Sequence, residues 1–273
     1  MSWTTVRVRP GISRDAVVAA LFELGSQGVH EDGEHIVTHF DSDLAIASIT
    51  AGVLHADPDA EISVSPLPDT DWAESWKKGL GAHVLGRLTI APPWLAHGLD
   101  RETTIVIEPE MAFGTGEHPT TRGVVRLMQS VIRRGDRVAD LGAGSAVLAI
   151  AAARLGAASV AAIESDPDAI RNAEENVARN GVAGQVRVIE GDALVLLPLV
   201  APVRVVLANI ISSVIVQLLP AIADALEPGG ELIVSGILAD ERDDMRDVLG
   251  VAGWRVLEED EEDVWWSARA VRR

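Results

Sequence analysis

Asp140-Leu141-Gly142-Ala143-Gly144 sets a carboxylate directly before two spaced glycines. Val138 and Ala139 lead into the acid as an apolar strand, and Val147 to Leu155 follow as an Ala-rich helix that Gly156 stops. Ser159 to Ile163 make a second strand, with Glu164 at its carboxyl end. Residues 136–164 therefore read as a βαβ unit whose turn lies at the carboxyl edge of a parallel sheet, where such folds bind ligands. Gly142 and Gly144 let the backbone approach a ligand with no Cβ in the way. An acid ending the second strand suits the two hydroxyls of a ribose. Two nucleoside ligands compete for this turn. A dinucleotide fingerprint requires Gly or Ala at position 147, where this chain has Val147. S-adenosylmethionine sites take the form D/E-x-G-x-G, with an acid opening the turn. A carboxylate beside a sulfonium and an ammonium is electrostatically favourable; beside a pyrophosphate it is not. The simplest alternative is that Asp140 caps the following helix.

A second stretch with chemical content is Phe113-Gly114-Thr115-Gly116-Glu117-His118-Pro119-Thr120-Thr121. It follows a strand over Thr103 to Ile107 and opens a helix reaching about Ile132. Such a loop presents free backbone N–H groups and the hydroxyls of Thr115 and Thr121 to an anionic group. Phe113, one of three phenylalanines, is positioned to pack on an adenine or a substrate. His118 has the chemistry of a base, but before a proline at a helix start it reads as structural. Further on, Val203 to Ala208 form a strand apolar enough to be central, with Asn209 at its carboxyl edge.

The elements that must position these residues come from a chain of 273 residues, 48% hydrophobic, long enough for two domains. Its net charge of −18 disfavours direct nucleic-acid binding and favours a basic protein partner. The absence of cysteine excludes disulfides, thiolate metal sites and cysteine nucleophiles. No signal-peptide core and no membrane-length apolar run is found, so a cytoplasmic, monomeric protein is expected. Residues 1–66 read as a small α+β unit in strand–helix–strand–strand–helix–strand order, a ferredoxin-like sandwich. Its elements are Thr4 to Val8, a helix capped by Ser13, a short strand near Val29, His35 to Phe40, a helix over Asp41 to Leu54, and Glu61 to Val64. His30, His35 and His39 invite a metal site, but no carboxylate is spaced to join them, so none is expected. Residues 67–100 form a join: a helix carrying Trp72 and Trp76, four apart and so on one face, then a hairpin over Val84 to Ile90. Residues 101–273 hold the rest. The acidic run Glu258 to Asp263 reads as a solvated loop between the last two strands.

EPEMAFGTGEHPTT, DLGAGSAVLAIAAARLGA, NAEENVARNGV and LANI together resemble the PrmA family, which methylates protein eleven of the large ribosomal subunit using S-adenosylmethionine. The resemblance spans about residues 70–270; the N-terminal region agrees in size and element order only. It implies a class I methyltransferase fold, a Rossmann-like seven-stranded α/β sheet with its last strand antiparallel. Residues 1–66 carry no convincing catalytic group, so beside such an enzyme they are expected to hold the substrate; the alternative is that they only stabilise the catalytic domain. The resemblance implies cofactor contacts at Thr121, Gly142, Glu164 and Asn209, with Asp140, Gly144, Phe113 and Thr115 as further candidates. In such folds an acid after the third strand binds the adenine amino group, which makes Asp192 a candidate; capping of the next helix is an equal alternative. Two departures stand out. Ala146 replaces the usual third glycine, adding a methyl group near the cofactor. Glu164 replaces the commoner Asp.

With the methyl group already activated, the protein's task is to align a neutral amine with it. A lysine of pKa about 10.4 is neutral at pH 7 in about one molecule in 2500, a cost of about 4.6 kcal/mol, against about 1 kcal/mol for an N-terminal amine. The side-chain carbonyl of Asn209, the candidate catalytic residue, is placed to accept from the amine and aim its lone pair. The expected function is therefore N-methylation of lysine or N-terminal amines of that ribosomal protein. The alternatives are the same chemistry on another basic protein, or a nucleotide-dependent oxidoreductase.

Overall fold

The computed structural model describes residues 3–26, 28–41, 46–66, 79–109 and 113–273. It divides into two compact units, Met1–Gly79 and Leu80–Arg273. The Trp72/Trp76 pair lies outside the described residues. Among those described, no helix is long and apolar enough to cross a membrane.

The first unit runs β1 (Trp3–Arg9), α1 (Arg14–Glu23), β2 (His30–Asp32), β3 (His35–Asp41), α2 (Ile46–Ala56) and β4 (Glu61–Pro66), with sheet order β2-β3-β1-β4. That is the expected ferredoxin-like sandwich. Every second residue of β1 is buried, so Val6 and Val8 face Val17 and Leu21 of α1 and Ile49 and Val53 of α2. Ser13 caps α1 by accepting from the Ala16 amide. His39 lies 3.2 Å from the Thr5 hydroxyl, and among the described residues no three side chains are grouped to hold a metal.

The second unit begins with β5 (His83–Leu85) and β6 (Leu88–Ala91), the expected hairpin. It does not belong to a join ending at residue 100. β6 pairs in parallel with β7 (Thr104–Val106), making a three-stranded sheet, so residues 80–100 belong to the second unit. Next come α3 (Pro119–Val131), β8 (Arg137–Leu141), α4 (Val147–Arg154), β9 (Ser159–Glu164), α5 (Pro167–Arg179), β10 (Val186–Glu190), α6 (Ala193–Val200), β11 (Val203–Asn209), α7 (Ser212–Ala225), β12 (Leu226–Leu238), α8 (Arg242–Val251), β13 (Trp254–Glu262) and β14 (Trp265–Arg272). The seven-stranded sheet has the order β10-β9-β8-β11-β12-β14-β13, and β14 runs antiparallel to both neighbours.

Alternation along the central strands explains the layering. Val205 and Leu207 of β11 join the core on the side of α3, α4 and α5; Val206 and Ala208 join the one under α6, α7 and α8. The sheet is thus covered on both faces, and its open working edge is the carboxyl end of β8, β9 and β11.

The acidic run is not a solvated loop. Glu258 to Glu262 continue β13 as a hairpin arm, and Asp260 and Glu262 pair with Arg126 and Arg122 of α3. Asp263, with φ 55°, and Val264 turn the hairpin.

Candidate active site

Three strand ends converge. β8 ends in Asp140-Leu141, β9 in Glu164 and β11 in Asn209. The turn after β8 packs so tightly that its glycines are obligatory. A Cβ on Gly142 would lie 2.5 Å from Ile210 Cγ2, and one on Gly144 would lie 2.5 Å from the Phe113 carbonyl oxygen. Ala146 holds φ 64°, a left-handed value that suits glycine. Its methyl is fully buried and packs in the apolar core.

Glu164 does more than end a strand. Its Oε2 accepts from the Gly144 amide at 2.8 Å and its Oε1 from the Asp166 amide at 2.9 Å, so it fastens the glycine turn to the start of α5. A carboxylate has about four acceptor positions, which leaves room for two ribose hydroxyls.

Asp140 does not cap α4, whose N-cap is Ala146. It is fully buried, and neither carboxylate oxygen has a hydrogen-bond partner among the described residues. Burial pushes its pKa up to about 7; the Ala149 amide opposes this without reaching hydrogen-bond geometry, and the Glu164 charge adds to it. A buried carboxylate in this condition calls for a cationic partner. Asn209 is the second orphan. Its Nδ2 donates to Thr121 Oγ1 at 3.5 Å, while its buried Oδ1 has no partner among the described residues.

A cavity of about 300 Å³ lies beside these strand ends, lined by Gly142, Ile163, Ser165, Asp192, Leu194 and Ile210; of the candidate residues it takes in Gly142 and Asp192, not Asp140, Glu164 or Asn209. Asp192 caps α6, accepting from the Leu194 amide at 2.7 Å, and it also lines this cavity. A larger cleft of about 700 Å³, lined by Arg101, Arg154 and Arg179, contains none of the candidate residues.

The second motif folds directly over the first. The Phe113 carbonyl accepts from the Ser145 amide at 2.9 Å, and the Gly114 carbonyl from the Ser145 hydroxyl at 2.7 Å. The Phe113 ring stays half exposed and meets His118 edge-on at 5.0 Å, and His118 meets Trp265 at 4.8 Å. His118 is structural: its Nδ1 faces the Thr120 amide and hydroxyl, and burial and the Arg122 charge lower its pKa. Thr115 turns inward, its Oγ1 accepting from the Glu117 amide at 3.5 Å within its own loop.

Several positioning residues were not read from sequence. Arg122 donates to the Gly116 and Glu117 carbonyls while its Nε binds Glu262 at 2.9 Å, clamping the loop to the β13–β14 hairpin. Glu117 accepts from the Gly81 amide at 2.7 Å and sits 2.9 Å from His83. Asn172, Asn176 and Asn180 are all buried, on the same stripe of α5 as Ala169, Ala173 and Val177. Polar residues at core positions of a helical repeat are the signal that marks them.

Comparison with known proteins agrees with this geometry. The sequence profile of the family described as "Ribosomal protein L11 methyltransferase (PrmA)" matches residues 12–273. The chain belongs to the PrmA family. A relative from Pelotomaculum thermopropionicum, named ribosomal protein L11 methyltransferase, is 41% identical over 222 residues, 81% of this chain and 71% of that protein. One of the same name from Thermus thermophilus is 34% identical over 252 residues, 92% of each chain. The crystal structure of a ribosomal protein L11 methylase from Lactobacillus delbrueckii subsp. bulgaricus superposes with a TM-score of 0.63 at 27% identity, covering 70% of this chain and 98% of that one. The PrmA motifs are the segments that meet here: FGTGEHPTT lies on DLGAGS, and LANI carries the orphaned Asn209.

Proposed function

We propose that this chain transfers the methyl group of S-adenosylmethionine to lysine or N-terminal amines of ribosomal protein L11. Asp140 carries the reading: a fully buried, unpartnered carboxylate opening a glycine turn fits a ligand's ammonium and sulfonium and rejects a pyrophosphate. The cofactor, when bound, supplies a methyl group already activated for displacement. The protein holds and aims. Asp140 and the Gly142–Gly144 backbone receive the amino acid portion, Glu164 the ribose, and Asp192 the adenine edge. Asn209 is held by Thr121 so that its free Oδ1 accepts from the incoming amine, which keeps the nitrogen lone pair directed at the methyl carbon. The half-exposed Phe113 ring covers the site from the loop side, lowering the local polarity and with it the cost of a neutral amine. Water takes the released proton.

The first unit holds the substrate protein, a basic partner drawn by the net charge of −18. The enzyme works as a monomer in the cytoplasm without direct nucleic-acid contact. Incubation of the purified chain with methyl-labelled S-adenosylmethionine and recombinant L11 tests the proposal. Label is expected on L11, accumulating more slowly with Asn209→Ala; no label on L11 with the native chain overturns the reading.

A further inference from the structure

Asn176 touches both halves of the candidate site without lining it. Its side chain is fully buried in α5. Its Oδ1 accepts from the Glu108 amide at 2.9 Å, and its Nδ2 donates to the Ser145 carbonyl at 3.3 Å and to Asn172 Oδ1 at 3.2 Å. Asn172 in turn donates to the Glu108 carbonyl at 3.3 Å. Ser145, through its amide and hydroxyl, grips Phe113 and Gly114. Glu108 is therefore held by Asn176 and Asn172, and Phe113 and Gly114 are held by Ser145, whose carbonyl Asn176 binds as well. The α5 helix that carries Asn176 is capped at its start by Asp166, the residue whose amide Glu164 binds.

We infer that Asn176 is a positioning residue: through Ser145 it sets Phe113 and Gly114 against the glycine turn in the arrangement that accepts S-adenosylmethionine. The inference rests on the proposed function for the identity of the ligand. A control stands at the C-cap of the same helix. Asn180 makes hydrogen bonds of the same kind, to both the amide (2.9 Å) and the carbonyl (2.7 Å) of Val106, but none to the glycine turn.

Calorimetry with S-adenosylmethionine and amide hydrogen exchange on the full chain compare Asn176→Ala, Asn176→Asp and Asn180→Ala. Both alanine variants are expected to melt earlier, each leaving buried backbone groups unpaired. Asn176→Ala is expected to weaken cofactor binding at least about tenfold, one lost buried hydrogen bond's worth, and to speed exchange of the Ser145 amide. Asn180→Ala is expected to leave both close to native. Asn176→Asp keeps the acceptor for Glu108 but cannot donate to Ser145, and is expected to follow Asn176→Ala. Ser145→Ala, which removes only the hydroxyl bond to Gly114, is expected to weaken binding with little change in melting, and it stands in should the Asn176 variants fail to fold. Equal effects of Asn176→Ala and Asn180→Ala on binding and on Ser145 exchange, or native cofactor affinity in Ser145→Ala, overturn the inference. Exchange in the cofactor-free chain reads the loop directly, so a native chain that fails to bind S-adenosylmethionine counts against the proposed function while the Ser145 amide still decides the role of Asn176.

Discussion

Asp140 stays protonated to about pH 7, where an unfolded aspartate has lost its proton near 3.8. Between those values the folded chain binds a proton that the unfolded chain has released, so this group makes stability fall as pH rises, by about 1.4 kcal/mol per pH unit. Asp140→Asn has nothing to titrate. Thermal denaturation from about pH 4 to about pH 8 is expected to show the native chain losing ground to the variant up to about pH 7, with a constant gap above. Parallel curves throughout would mean that the carboxyl is solvated. Ligand binding works in the opposite direction, because an ammonium needs the ionised form: S-adenosylmethionine affinity is expected to rise with pH through about 7 in the native chain and stay flat in the variant. Glu164 behaves differently. On sequence alone its removal should touch only the ribose, but it also holds the Gly144 and Asp166 amides. Glu164→Ala is therefore expected to lower the melting temperature as well as weaken cofactor binding by about 1–3 kcal/mol. Calorimetry showing unchanged affinity removes it from the site. Asn209→Ala is expected to reduce kcat more than cofactor affinity, since its free Oδ1 orients the amine in the transition state.

The helix α3 and the hairpin β13–β14 act as one jaw of the site. Arg122 links them, and its hydrogen bond to Glu262 is the main reason that the Glu262 pKa lies below the usual carboxylate value. A depressed folded pKa means stabilisation that is present above the ordinary carboxylate range and lost as pH falls through the depressed value. Glu262→Gln is expected to cost about 1 kcal/mol near neutrality, given its partial exposure, with the gap to native closing in acid. A gap independent of pH would assign the loss to packing. Here the limits of the sequence are physical. The glycine turn, the α5 cap and the strand after it were legible because each is specified within about a dozen residues. The acidic strand end was not, because arginines more than a hundred residues away neutralise it. Nor was the boundary after Gly79, since β6 finds its partner β7 across an intervening loop. The asparagine stripe of α5 was visible as letters, but its meaning depends on what lies opposite, the backbone of Val106 and Glu108.

At the scale of the whole molecule, residues 80–273 contain every candidate contact and two apolar clusters of their own, while the first unit has a separate core around Val6, Leu21 and Phe40. A chain beginning at Leu80 is expected to fold and bind S-adenosylmethionine within a few-fold of the intact protein while losing methylation of L11. Methylation at the intact rate by the shortened chain would show that the first unit does not recognise the substrate; loss of cofactor binding would show that the units are one. The row Phe113–His118–Trp265 has a use that is independent of chemistry. The chain has seven tryptophans and no tyrosine, so its near-ultraviolet emission comes from indole alone. Trp254 and Trp266 are buried in the core, whereas Trp265 is half buried with the His118 ring 4.8 Å away. Imidazole drains light from an indole at that range, and more so when protonated. Trp265 emission is therefore expected to brighten or dim if ligand arrival shifts the loop above the glycine turn, a change that can be read with no dye attached.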